Sequence, residues 1–122
     1  MPIVDVRPVV SASQHLPADA AQVVADSIAR VLSADRGRVW VRLTELLKDS
    51  YAENGEVVDD NDLPVIVQVL HADLPTEDAR VQEAKALAVA VAASLGRQVE
   101  RVHIEYAPPG RGRVAFGGKL VV

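Results

Sequence analysis

The chain has 122 residues, a formal net charge of −4 and no cysteine, a single-domain length that can bury a modest core. The acidic balance argues against a nucleic-acid partner, whose phosphates need a basic stripe. The lack of cysteine removes disulfides, thiolate nucleophiles and thiolate-held metals. No run approaches the roughly 18 apolar residues of a membrane span, and the N-terminus has neither the basic nor the apolar region of a signal peptide. A cytoplasmic protein is therefore expected. Aromatic residues are confined to Trp40, Tyr51, Tyr106 and Phe116, so the core must be Val, Ala, Leu and Ile.

Taken in chain order, Ile3–Val10 is a β-branched run and reads as a strand. Pro2 stands at its head, where a residue without an N–H is tolerated. The plain reading is a strand start. The sharper one is that Met1 is removed, leaving Pro2 as a secondary amine at the N-terminus. From Pro17 to Leu32, Ala20, Val24, Ile28 and Val31 recur at helical spacing. Arg38–Leu43 reads as a strand with Val39, Val41 and Leu43 on one face and Trp40 and Arg42 on the other. The acidic join DDNDLP at 59–64 leaves no room for a flexible linker. Val65–His71 is the next strand. Thr76 can cap a second helix, whose stripe is Val81, Ala84, Ala88, Val91 and Leu95, and Gly96 can end it. The last long strand is Arg101–Tyr106, with His103 and Glu105 opposite Val102, Ile104 and Tyr106. The glycines of GRGRVAFGG open no helix and so carry no nucleotide fingerprint; they suggest a hairpin.

Segments 2–59 and 65–122 align without a gap at an offset of 63 residues. Ile3, Val4 and Val6 meet Ile66, Val67 and Val69. Ala21, Ala25 and Ala29 meet Ala84, Ala88 and Ala92. Arg38-Val39 meets Arg101-Val102, and Ala52, Gly55 and Val58 meet Ala115, Gly118 and Val121. An internal repeat must be read before the fold. Each copy is a βαβ unit with parallel strands. The expected fold class is α/β (α+β): one domain over 1–122, two tandem βαβ units, a four-stranded sheet, and both helices on one face. The other face, with Trp40, Arg42, His103 and Glu105, calls for a partner, most commonly a second copy. A ferredoxin-like fold is the structural rival; it too is βαβ-rich, but its connectivity differs.

The start PIVDV, the stretch RVWVRLTELLKDSYAENGE at 38–56 and the tail GRGRVAFGGKLV at 110–121 resemble the tautomerase superfamily. The closest likeness is to 4-oxalocrotonate tautomerase, whose short subunit is one βαβ unit; here two would be fused. The resemblance covers essentially the whole chain. It implies a homotrimer with the architecture of macrophage migration inhibitory factor. It also implies a cofactor-independent tautomerase or isomerase, with Pro2 as general base and acid on a small-molecule enol, 2-hydroxydienoate or 2-keto acid. A proline amine suits this chemistry, because a neutral amine can take a proton from one atom and return it to another.

The sequence departs from the family at its arginines. The arginine of the loop before the helix falls at Ala12 and Pro75, and the strand-borne arginine at Trp40 and His103. Arg42, Arg111, Arg113 and Lys48 are available replacements. Trp40, Tyr51, Val114 and Phe116 are candidate pocket walls, Tyr51 standing where the family has an aromatic that desolvates the amine. His103 is a further candidate beside the substrate. The three histidines show no metal-ligand spacing. Loss of the arginine clamp keeps a second reading open: a non-enzymatic trimeric ligand-binding or interaction protein of the same fold.

Overall fold

The computed structural model describes all residues from Met1 to Val122. Strand β1 (Ile3–Val10) leads to helix α1 (Ala20–Leu32), which returns the chain to β2 (Trp40–Leu43) and a short β3 (Leu46–Leu47). The second unit repeats this with β4 (Val65–Leu70), α2 (Glu77–Leu95) and β5 (Val102–Tyr106), and ends in a hairpin of β6 (Ala115–Phe116) and β7 (Lys119–Leu120). No helix is long and apolar enough to cross a membrane.

The sheet order is β2-β1-β4-β5, with β3 extending the edge beside β1. Within each unit the strands are parallel, and β1 and β4 meet antiparallel at the centre. Each unit's two strands are immediate neighbours. The split βαβ of a ferredoxin-like fold keeps them apart, so that rival is excluded. The central register is symmetric: Val4 faces Val69 and Val6 faces Val67, and these four residues are two repeat-related pairs. The duplication therefore builds an approximate two-fold axis between β1 and β4.

Pro8 lies within β1, opposite Val65 of β4, where the strand changes partner on its other side. Its ladder with β2 ends at Val6 and that with β3 starts at Val9, so the missing N–H falls between two ladders and costs no hydrogen bond.

Both helices lie on one face. Val4, Val6, Val65, Val67, Val69 and Val102 from the sheet pack against Val24 and Ile28 of α1 and Leu87, Ala88, Val91 and Ala92 of α2. The core is aliphatic, as composition required. Ile28 and Leu87 are fully buried, and truncating either to Ala would cost about 2–5 kcal/mol. The stripe on α2 needs one correction. Val81 is 47% exposed, because the face of α2 that meets the sheet here runs through Glu83, which accepts from Tyr106, and Leu87 fills the centre instead. Thr76 caps α2 by accepting from the Ala79 N–H at 3.3 Å. Helix α1 starts at Ala20, after a turn closed by the Ala20 N–H on the Pro17 carbonyl.

The opposite face carries Ile3, Asp5, Arg7, Trp40, Arg42, Ile66, Gln68, His103 and Glu105, none of them buried. It is more polar than the β-branched composition of the strands suggested, because Val4, Val6, Val41, Val65, Val67, Val69 and Val102 turn toward the helices. In the hairpin, Gly117 and Gly118 have φ of 56° and 82° between paired Phe116 and Lys119. Two successive positive φ values make the tight turn that matches strand twist, and glycine adopts them without steric cost.

Candidate active site

Pro2 is buried, and its carbonyl accepts from the Trp40 N–H at 3.1 Å. This bond extends the β1–β2 ladder to the first residues of the chain. It brings Pro2 beside the turn before β2. A cavity of about 200 Å³ opens there. Met1, Pro2 and Ile3 form one wall, Gly37, Arg38 and Trp40 a second, and Phe116 closes it from the terminal hairpin. Trp40 and Phe116 meet edge to face, with ring centroids 5.1 Å apart. The indole N–H of Trp40 donates to the Gly37 carbonyl at 3.1 Å, which holds the ring over the cavity. The Met1 side chain lies on the buried backbone of Gly110, in the space a Cβ there would take, next to Val114. A larger open groove of about 710 Å³ runs between α1 and the edge strand β2 and shares Gly37 and Trp40 with the cavity.

The structure thus brings Pro2, Trp40 and Phe116 together. Arg42 does not join them. It lies two residues along β2 on the open face, where Nε and Nη2 donate to the two carboxylate oxygens of Asp5 at 2.6 and 3.0 Å. Tyr51 and His103 lie at the other end of the sheet. β1 and β4 are antiparallel, so the two repeats start at opposite ends, and each tail crosses to the start of the other repeat. The second tail therefore reaches Pro2, while the first, with Tyr51, reaches Val65. Within one chain Tyr51 cannot wall the Pro2 cavity. Its hydroxyl donates to Glu53 at 2.5 Å, and Glu53 also accepts from Arg101 at 2.6 Å. These two donors hold the Glu53 carboxyl below the usual carboxylate range, and donation to Glu53 pushes the Tyr51 hydroxyl up.

Arg113 sits in the loop before β6, its N–H donating to the Gly110 carbonyl at 2.7 Å; its side chain is exposed and outside the cavity lining. Arg111 is bound to Asp73 through Nε at 2.8 Å, and Lys48 to Asp60 at 2.8 Å. None of the four replacement cations named from the sequence lines the cavity. The cation that does is Arg38, which sequence reasoning missed as a site residue. Its signal was present in the repeat, where Arg38-Val39 and Arg101-Val102 are an identical pair.

Two histidines have partners that the sequence did not disclose. His15 Nδ1 is 2.9 Å from Glu45. His71 Nε2 is 2.9 Å from Glu83 Oε2, which also accepts from the Tyr106 hydroxyl at 2.7 Å. Burial first, and donation to Glu83 second, push the Tyr106 hydroxyl far up.

No known family model and no curated protein matches the chain in sequence. Solved structures do match in fold. A fused 4-OT described as a wild-type symmetric trimer superposes with a TM-score of 0.75 at 20% identity, over 98% of this chain and 94% of that one. Pt0534 inactivated by 2-oxo-3-pentynoate superposes at 0.74 and 18%, over 98% and 94%. The macrophage migration inhibitory factor of Trichinella spiralis superposes at 0.72 and 14%, over 97% and 98%. A duplicated βαβ sheet with two helices on one face is therefore the architecture here, and it is the fold of fused 4-OT and of macrophage migration inhibitory factor.

Proposed function

We propose that the protein is a cofactor-independent tautomerase, with Pro2, freed by removal of Met1, as the proton carrier on an enol, 2-hydroxydienoate or 2-keto acid. The observation that carries this is the position of Pro2, buried at the wall of a small cavity between Ile3, Trp40, Phe116 and Arg38. An α-amine ordinarily titrates near 7.7–8.0. Apolar walls and a neighbouring cation both disfavour its charged form, which favours a neutral amine near pH 7. That amine takes the enol or α-carbon proton of the substrate, and the resulting dienolate or enolate takes the proton back at a different atom. Atoms and charge balance without a cofactor. The pyrrolidine ring fixes the nitrogen with no side chain to position.

The fold neighbours described as trimers and the unpartnered sheet face with Trp40 and Arg42 support a homotrimer, with the helices outside. Light scattering at low micromolar concentration should give three chains per particle; a monomer would contradict this.

A second reading has its own observation. The Met1 side chain fits onto Gly110 beside Val114. A protein that keeps Met1 has an amide at Pro2 and no base there, and would be a ligand-binding or interaction module. Intact mass of the protein separates the two. In Met1-free protein, Pro2→Ala is expected to lower turnover of the best substrate in an enol and dienol acid screen at least tenfold, leaving the oligomer intact. Unchanged turnover would remove Pro2 from the mechanism.

A further inference from the structure

We infer that Arg38 is the substrate-anchoring cation of the Pro2 cavity and that the ligand it takes is a small acid with a single carboxylate. The chemistry done on that ligand rests on the tautomerase reading; the binding does not.

Arg38 is the one charged side chain among the residues that line the cavity. Its backbone is fixed, the N–H donating to the Asp35 carbonyl at 3.1 Å, yet its guanidinium has no hydrogen-bond or ion-pair partner. Arg42 is engaged by Asp5, Arg101 by Glu53 and Arg111 by Asp73, while Arg7, Arg36 and Arg113 are also unpaired but do not line the cavity. An unpaired guanidinium on a residue that lines an apolar cavity is suited to a carboxylate, which it can grip with two parallel N–H donors.

The duplication supplies an internal comparison. At the offset of 63 residues, Arg38 corresponds to Arg101, Trp40 to His103, and Phe116 to Glu53. The second repeat start is therefore a version of the first in which a carboxylate is built in. Glu53 sits on Arg101 at 2.6 Å, in the position that Phe116 holds relative to Arg38. The protein thus shows an arginine–carboxylate pair at one end of its sheet, and at the other the same arginine with the carboxylate replaced by an aromatic wall. The missing carboxylate is the ligand's.

The number of carboxylates follows from the rest of the lining. Once Met1 is removed, Ile3, Trp40 and Phe116 offer no second cation, and the Pro2 amine acts in its neutral form. A second carboxylate in so small a cavity would lose its water without a partner, which is costly.

The test uses the full chain with Met1 removed, and Trp40, the only tryptophan, as the reporter. Trp40 fluorescence is titrated with 2-oxobutanoate, its methyl ester and 2-oxoglutarate. Saturable quenching by 2-oxobutanoate is expected, with the ester at least tenfold weaker and 2-oxoglutarate no tighter. Arg38→Gln should weaken 2-oxobutanoate by roughly 10- to 100-fold, the usual range for a charge-assisted hydrogen bond, and Arg42→Gln should leave it unchanged. The inference is overturned by absent quenching in the wild type, by equal affinity of Arg38→Gln, by equal losses in the two variants, or by an ester or dicarboxylate that binds as well or better. Arg38-dependent binding without turnover of any enol acid would instead sink the tautomerase reading alone. Pro2-dependent turnover indifferent to Arg38 would sink the anchor alone.

Discussion

Ser33 and Gly96 end the two helices in the same left-handed conformation, at φ 50°, ψ 42° and φ 65°, ψ 40°. They are repeat-related positions, 63 residues apart. Each closes its helix with a backbone N–H turned back to carbonyls of the last turn, Ala29 and Arg30 in α1 and Ala92 in α2. A Cβ in this region meets the neighbouring carbonyl, at a cost of about 1–2 kcal/mol that glycine escapes. Ser33→Gly is therefore expected to stabilise the protein by about 1 kcal/mol and raise Tm by roughly 3–5 °C. Gly96→Ala should lower it by a similar amount. A lower Tm for Ser33→Gly would show that the serine side chain contributes something the cap geometry does not reveal.

Arg97 ties the far end of the sheet together. Its Nη2 donates to the Val9 carbonyl at 2.8 Å and its Nη1 to the Leu63 carbonyl at 3.1 Å. It joins the end of β1 to the entrance of β4, across the join between the repeats. Partial burial lowers the Arg97 pKa from its ordinary value, though the group stays charged. Arg97→Met keeps the stem and removes the donors. It should cost about 1–2 kcal/mol, less than a fully buried charge-assisted pair because the Arg97 bonds are only part-buried. Denaturant midpoint is the measurement; an unchanged midpoint would show that water serves these carbonyls equally well.

The two tyrosines should resist alkaline ionisation. Both hydroxyls donate to a glutamate, Tyr51 to Glu53 and Tyr106 to Glu83, and both are raised above the ordinary value of 10. A folded pKa above the unfolded one means that the stabilisation is complete below about pH 10 and is lost as pH rises further. Absorbance at 295 nm should show little tyrosinate at pH 10 in the folded protein and about half in urea. Glu83→Gln should lower the later of the two folded midpoints. A folded titration that overlays the unfolded one would contradict the glutamate contacts.

The repeat predicts two sites by symmetry, but the proposed chemistry allows one. Val65 matches Pro2, and its nitrogen is an internal amide, which is no base near neutral pH. An electrophilic acid such as 2-oxo-3-pentynoate, whose alkyne can accept an amine by conjugate addition, should add once per Met1-free chain. The new C–N bond forms at Pro2, and the adjacent alkyne carbon takes up a proton. Peptide mass mapping should find the label in the N-terminal peptide. Complete inactivation with the label in residues 60–122 would remove Pro2 from the mechanism. Arg38→Gln should slow the labelling at low reagent concentration without moving it.

The duplicated βαβ plan could be read from the chain itself, because periodicity and repeat pairing are local or additive properties. In β1, buried Val4 and Val6 alternate with part-exposed Ile3 and Asp5 as a half-buried strand must. The alanine stripes recur at helical spacing, and Thr76, Gly96 and Gly117-Gly118 mark their cap, stop and turn through their own backbone chemistry. Pro2 was likewise visible, because its proposed role depends on being next to the chain start. The lining of the cavity was a matter for the tertiary structure. Which tail reaches which repeat start depends on β1 and β4 running antiparallel. That arrangement sends Phe116 to Pro2 and Tyr51 to Val65, the reverse of what pairing each tail with its own repeat would give. Whether an arginine is free is also decided in space. Arg42 and Arg38 look alike along the strand, but Asp5 on the neighbouring strand claims the first, and the aromatic in place of Glu53 leaves the second unpaired.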